Sequence, residues 1–135
     1  MLSFDASALV KRYREEDHST WVLDLMDDDT GWFGSMLLAA EVPVALSRSL
    51  EATEHLAEVD SRLNRDLDAF HMLPIDSDTI VRAVEIGRAY RLKTLDSIHL
   101  AAAQVLPAEC QFVTFDERQR EVAVALGLKV LQPPV

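Results

Sequence analysis

The sequence contains one cysteine, Cys110, in 135 residues, and it shows no secretion leader and no long apolar run. A lone cysteine cannot form an internal disulfide, and this one lacks the cysteine or histidine companions that a zinc site requires. No segment approaches the roughly 20 apolar residues that a transmembrane helix needs. These absences argue against a disulfide-rich secreted domain and against a membrane protein, so we expect a cytoplasmic protein with no membrane partner.

Basic residues are also scarce in this chain. Lys and Arg number 13 against 23 Asp and Glu, which gives a formal net charge of −10. That sign disfavours nonspecific binding of nucleic acid through the field of the whole protein. The charge is unevenly distributed, because residues 15–29 hold acids but no Lys or Arg, whereas basic residues gather at 11–14 and 88–93. Local charge can therefore differ from the global sign.

The length and the apolar content predict one domain over residues 1–135. Hydrophobic residues make up 49% of the chain, enough for a core at this size without disulfides or structural zinc. Short apolar segments alternate with longer amphipathic ones, and no internal repeat separates them. The predicted strands are 2–5, 31–35, 71–75, 111–115 and 128–131. The predicted helices are 7–15, 18–28, 36–48, 51–69, 77–91, 95–105 and 117–126.

This alternation predicts the α/β fold class. Strand–helix–strand units close with right-handed crossovers, so we expect a three-layer α/β/α arrangement with a mostly parallel sheet of about five strands. Gly127 is placed to end the last helix. Pro43 would remove a hydrogen bond inside helix 36–48, so we expect that helix to start late or to kink.

Four acidic residues are placed near the carboxyl ends of these elements, where parallel sheets bind ligands. Asp5 ends the first predicted strand and Asp116 follows the fourth. Glu41 lies early in the helix after the second strand, and Asp96 lies in the first turn of a later helix. Carboxylates that converge in one crevice need a cation, since like charges at close range cannot all stay ionised. Oxygen ligands favour Mg²⁺ or Mn²⁺, and phosphate esters are the natural substrates of such sites.

Each of these acids also has a purely structural interpretation. Asp5 and Asp116 are acceptable helix N-caps, and Gln119 follows the second of them by three residues, as in a capping box. The helix dipole favours Asp96 in a first turn, and Glu41 could be a solvated helix residue. Composition and spacing alone leave the two interpretations about equally supported.

Four segments of the chain match one known family in order and spacing. They are residues 5–11 (DASALVK), 40–42 (AEV), 94–101 (TLDSIHLA) and 113–116 (VTFD). Together they resemble the PIN domain, and most closely the VapC-type toxins of bacterial and archaeal toxin–antitoxin pairs. The resemblance covers essentially the whole chain.

The resemblance implies an α/β/α fold and an Mg²⁺- or Mn²⁺-dependent endoribonuclease that hydrolyses RNA. It further implies a homodimer and a small VapB-like antitoxin as partner. It assigns catalytic and metal-binding roles to Asp5, Glu41, Asp96 and Asp116, with Ser7 and Thr114 as supporting hydroxyls. The candidate RNA contacts are the basic residues near these acids, namely Lys11, Arg12, Arg88, Arg91 and Lys93.

Other function classes remain open on sequence grounds. A PIN-like RNA-processing nuclease or a non-catalytic binding module would share the same motifs. An aspartate-based phosphotransfer domain would also place acids at strand ends, but Ser7 stands where a haloacid-dehalogenase-like phosphatase needs its second acid. We therefore disfavour the phosphotransfer class.

Conspicuous residues outside the four acids are predicted to serve the fold. His99 lies three residues after Asp96, and we expect it to pack or hydrogen-bond at the base of its helix, since a hard cation prefers oxygen ligands. The aromatic residues predicted to belong to the core are Trp21, Trp32, Phe33 and Phe70.

Overall fold

The computed structural model describes residues 1–49 and 53–134, which fold around a five-stranded parallel sheet. The strand order is β3-β2-β1-β4-β5, and every pairing between neighbours is parallel. This confirms the predicted α/β class with a parallel sheet. The strands are β1 (Leu2–Phe4), β2 (Trp32–Ser35), β3 (His71–Leu73), β4 (Gln111–Val113) and β5 (Lys129–Leu131).

Helices connect successive strands and pack on both faces of the sheet. A turn of 3-10 helix at Val10–Arg12 continues the first helix, so the predicted helix 7–15 is divided and shortened. The start of the predicted helix 51–69 lies outside the described residues. The helices are α1 (Ala6–Leu9), α2 (Ser19–Asp28), α3 (Leu38–Ser49), α4 (Thr53–Ala69), α5 (Ser77–Tyr90), α6 (Thr94–Ala103) and α7 (Glu117–Ala125).

Three strands, β1, β3 and β4, end earlier than predicted, whereas β2 and β5 end where predicted and start one residue later. β3 stops at Leu73 because Pro74 has no N–H to donate to a neighbouring strand. Asp5 follows β1 instead of ending it, since its side chain caps α1 and the backbone turns out of the sheet there. The polar residues beyond the strands are therefore free to form a site at the sheet edge.

Helix α3, which carries Glu41, begins later than predicted but is not ended by its proline. It starts at Leu38 and continues through Pro43 to Ser49. Its start packs closely on β2 because Gly34 has no side chain, and a Cβ at that position would lie 2.2 Å from Leu38 Cδ1. This close approach fixes the height of α3 above the sheet.

Two hydrophobic clusters lie on opposite faces of the sheet. One joins α1 to α4 through residues such as Leu9, Leu38 and Leu63, and the other joins α5 to α7. Adjacent residues of β4, Phe112 and Val113, belong to different clusters, because successive side chains of a strand point to opposite faces. The sheet is therefore the middle layer of three, as the sequence predicts.

The remaining expectations about the fold are mostly met. Trp32 and Phe70 are buried, whereas Trp21 and Phe33 are only half-buried. Gly127 follows the end of α7 with a φ of +84°, the left-handed conformation that favours glycine. Over the described part of the chain, no helix has the length and apolarity that a membrane crossing demands.

Candidate active site at the carboxyl edge of the sheet

The carboxyl ends of β1 and β4 lie side by side, with Phe4 opposite Val113. Asp5 follows the first of these strands, and Thr114 and Asp116 follow the second, so these side chains reach the same edge. The strand order runs outward from β1 in both directions, with β2 and β3 on one side and β4 and β5 on the other. Ligands of open parallel sheets bind at such a reversal point.

Asp5 is a buried carboxylate surrounded by hydrogen-bond donors. Its side chain accepts from Ser7 Oγ at 2.8 and 2.9 Å, from Thr114 Oγ1 at 2.6 Å and from the Ala8 backbone N–H at 3.0 Å. Burial raises the pKa of Asp5 to about 6, although the bonds from Thr114 and Ser7 and the charge of His99 act in the opposite direction. Asp5 thus caps α1 and also places a buried negative charge at the sheet edge.

Asp96 lies in the first turn of α6, and Asp116 is the N-cap residue of α7. Gln119 links them, because its side-chain Nε2 donates to Asp96 Oδ1 at 2.9 Å and its backbone N–H donates to Asp116 Oδ1 at 2.8 Å. Burial and, next, the charge of Asp116 raise the pKa of Asp96, while His99 and the Gln119 bond oppose the shift. The two carboxylates therefore lie close enough to repel each other.

Glu41 completes the group from α3. Its Oε1 lies 2.5 Å from His99 Nε2 on α6, and its charge contributes to the raised pKa of Asp96. His99 is 3% exposed and hydrogen-bonds within the fold, as expected from the sequence. The four sequence-predicted acids thus lie at one edge of the sheet.

The donor chemistry of this group suits a hard cation. Among the ion pairs in residues 1–49 and 53–134, none joins a Lys or Arg to Asp5, Asp96 or Asp116. All four acids offer oxygen, the ligand that Mg²⁺ and Mn²⁺ prefer. In the described residues no three His, Cys, Asp or Glu side chains are placed as a set of metal ligands. The acidic group therefore matches a divalent cation in its negative charge and in its oxygen donors.

A groove of about 440 Å³ runs alongside the acidic group. Glu41 and Ser7 lie at its wall, and Val44 and Leu95 make part of it apolar. Two arginines, Arg14 and Arg48, also line it, and sequence analysis did not place them among the candidate RNA contacts. Their positions depend on how α3 packs against the segment after α1, which local patterns do not reveal.

The predicted basic contacts are dispersed, and two are engaged within the fold. Arg12 pairs with Asp66 at 2.9 Å and lies over the ring of Trp32, at the amino end of β2, so it does not face the acidic site. Lys11 pairs with Glu16 at 3.0 Å. Burial and ion pairing therefore account for Arg12 and Lys11 without any contact to RNA.

The other three predicted contacts are exposed. Arg88 lines a separate groove between α5 and α6. Arg91 ends α5 with a φ of +52°, and Lys93 immediately precedes α6, the helix of Asp96. Arg91 and Lys93 therefore lie near the acidic group along the chain, whereas Arg88 belongs to a different surface.

Comparison with known proteins agrees with this architecture. A family model described as PIN domain matches residues 3–125. Ribonuclease VapC35 of Mycobacterium tuberculosis (strain CDC 1551 / Oshkosh) is 38% identical over 143 residues, covering 98% of this chain and 97% of the relative. The match extends along nearly the full length of both proteins.

Solved structures share the fold at lower identity. A toxin–antitoxin complex from Klebsiella pneumoniae matches with a TM-score of 0.73 and 22% identity, covering 99% of this chain and 98% of that one. FitAcB from Neisseria gonorrhoeae matches with a TM-score of 0.77 and 19% identity, covering 98% of each chain. By its sequence match and its architecture, the chain belongs to the PIN-domain family and is related to the VapC ribonucleases across nearly its whole length.

Proposed function

We propose that this chain is an Mg²⁺- or Mn²⁺-dependent endoribonuclease, the toxin of a VapBC-type pair, built as a single PIN domain over residues 1–135. The observation that carries the proposal is the meeting of four acids from distant segments, among which Asp5 and Asp96 have raised pKa values and no Lys or Arg partner in the described residues. Such an arrangement is costly unless a cation offsets it. PIN-domain ribonucleases depend in general on a divalent metal.

In this proposal Asp5, Asp96 and Asp116 hold the cation, and Glu41 completes the shell or orients the attacking water. A bound divalent ion supplies an activated water and neutralises charge on the phosphate. His99 fixes Glu41, while Ser7 and Thr114 hold the Asp5 carboxylate in place.

RNA would approach along the groove beside Glu41. Arg48 supplies positive charge there, whereas Arg14 also lines the groove but pairs with Glu16 at 2.8 Å. The phosphate backbone is the part of RNA that such basic side chains contact. Arg91 and Lys93 remain candidates on the α6 side of the site, as the sequence predicts. Because the net charge of the chain is −10, RNA binding requires positive side chains close to the site.

The proposed partners are a second copy of the chain and a VapB-like antitoxin in the cytoplasm. A Lys or Arg of the antitoxin inserted among Asp5, Asp96 and Asp116 would pair with carboxylates that have no such partner in the described residues. It would also compete with the metal for those ligands. We therefore expect inhibition to weaken as Mg²⁺ concentration rises.

The direct test is cleavage of single-stranded RNA by purified protein with Mg²⁺, with Mn²⁺ or with EDTA. We expect cleavage with either metal and none in EDTA, and Asp96→Asn should reduce the rate to the EDTA background. Asp78→Asn is the matched control, because Asp78 also lies in the first turn of a helix but is exposed. Cleavage in EDTA, or a wild-type rate in Asp96→Asn, would reject the proposal. RNA binding without cleavage in any metal would favour the binding-module alternative.

A further inference from the structure

Gln119 is the third residue of α7, the position where a capping box places Glu or Gln. In that motif the side chain returns to the backbone N–H of the N-cap residue, which here is Asp116. Half of the motif is present, because Asp116 Oδ1 accepts from the Gln119 backbone N–H. The other half is missing, because the Asp116 N–H donates to Thr114 Oγ1 at 3.1 Å. Thr114 thus replaces the Gln119 side chain in the cap.

The side chain of Gln119, which takes no part in the cap, reaches helix α6. Its Nε2 donates to Asp96 Oδ1 at 2.9 Å, while the residue as a whole is fully buried. The reverse orientation of the amide would set oxygen against a carboxylate oxygen, so the donor must face Asp96. This choice leaves Oε1 buried without a hydrogen-bond partner among the described residues. Burying an acceptor without a hydrogen-bond partner costs free energy. The cap at Asp116 gives no reason for the side chain of Gln119 to be placed where it has this cost.

We propose that Gln119 is a positioning residue that sets the placement of Asp96 relative to Asp116 and thereby the affinity of the site for a divalent cation. The backbone of this one residue orients one carboxylate and its side chain orients the other. The proposal rests on the proposed function only in taking these two acids as cation ligands. Hydrogen-bond partners of metal-binding carboxylates commonly change metal affinity by about 10–100-fold.

Two variants test this proposal on the protein alone. Gln119→Met keeps the size and the backbone cap but removes the donor, and Gln119→Asn keeps an amide that is too short to reach Asp96. Gln104→Met is the control, since Gln104 is exposed at the far end of α6. We expect calorimetric titration with Mn²⁺, without RNA, to show a Kd at least about 10-fold weaker in both Gln119 variants. The control should remain within about 2-fold of wild type.

A second readout separates positioning from structural support. Cleavage of RNA by the Gln119 variants should fall at low Mn²⁺ and recover at saturating Mn²⁺, because lost affinity is restored by mass action. Wild-type Mn²⁺ affinity in a folded Gln119 variant would overturn the proposal, as would absence of Mn²⁺ binding to wild type. Loss of the fold in both variants, measured by circular dichroism, would assign Gln119 to stability alone and would also overturn it.

These outcomes differ from those that test the nuclease activity itself. If wild type cleaves no RNA but the Gln119 variants bind Mn²⁺ more weakly, the positioning role stands and the ribonuclease proposal fails. If wild type cleaves RNA and the variants bind Mn²⁺ as it does, the ribonuclease proposal stands and the positioning role fails.

Discussion

The imidazole of His99 and the carboxylate of Glu41 form a 2.5 Å contact that joins α6 to α3. The two side chains differ in exposure, with 2% of the His99 side chain and 27% of the Glu41 side chain accessible. One carboxylate oxygen of Glu41 is thus anchored from inside the protein, and the residue still borders the groove. Glu41 is therefore held at the boundary between the core and the solvent.

Replacing His99 with leucine should uncouple Glu41 from α6. The side chains are similar in size, so we expect the fold to persist, while RNA cleavage falls by about 10–100-fold because Glu41 is no longer oriented. Initial cleavage rates at saturating Mg²⁺ measure the effect. His55→Leu provides the control on the exposed surface of α4, and a rate for His99→Leu within 2-fold of wild type would show that Glu41 needs no anchor.

Asp5→Asn should stabilise the metal-free protein at neutral pH. Burial raises the pKa of Asp5 from 3.8 to about 6, so the folded state binds a proton more tightly than the unfolded state. The contribution of Asp5 to stability therefore falls as pH rises from about 4 to about 6, and above this window it is unfavourable by roughly 3 kcal/mol. The variant should melt at a higher temperature than wild type at pH 7.5 in EDTA, and the difference should disappear near pH 4. A lower melting temperature at pH 7.5 would mean that capping of α1 outweighs burial of the charge.

Arg48 should contribute to RNA binding through the phosphate backbone. In an Asp96→Asn background, which prevents cleavage, Arg48→Gln should weaken binding and lower the slope of log K against log salt by about 1. Arg65→Gln, on the exposed surface of α4, should leave the slope unchanged. Charge reversal at Arg91 or Lys93 should likewise weaken RNA binding more than charge reversal at Arg65 does. Equal salt slopes in all variants would remove these residues from the RNA path.

Expression of the chain without a partner gene should arrest growth of the host. The effect requires cleavage, so Asp96→Asn at the same protein level should restore growth, and Asp78→Asn should not. Growth curves with matched immunoblots measure both. Normal growth in cells that contain active wild-type protein would favour an RNA-processing nuclease with a narrow substrate.

The sequence predicts those features of the site that depend on local order. Asp5 and Asp116 follow short apolar strands, and the carboxyl ends of parallel strands share an edge, so the sequence predicts that both acids lie at that edge. Only the structure shows that β1 and β4 are neighbours and bring the two acids together. The ion pair of Arg12 could not be predicted, because its partner Asp66 lies 54 residues away and contacts it only once α4 has packed. Gln119 shows both cases, since its backbone bond to Asp116 follows from a local motif and its side-chain bond to Asp96 does not.

The order of the strands has a consequence for synthesis on the ribosome. β1 lies in the middle of the sheet, yet its neighbour β4 comes more than 100 residues later in the chain. A nascent chain that ends before α6 contains Asp5 and Glu41 but lacks Asp96, Asp116 and the strand that pairs with the open edge of β1. The acidic group therefore becomes complete only after Asp116, near the end of the chain, has been synthesised.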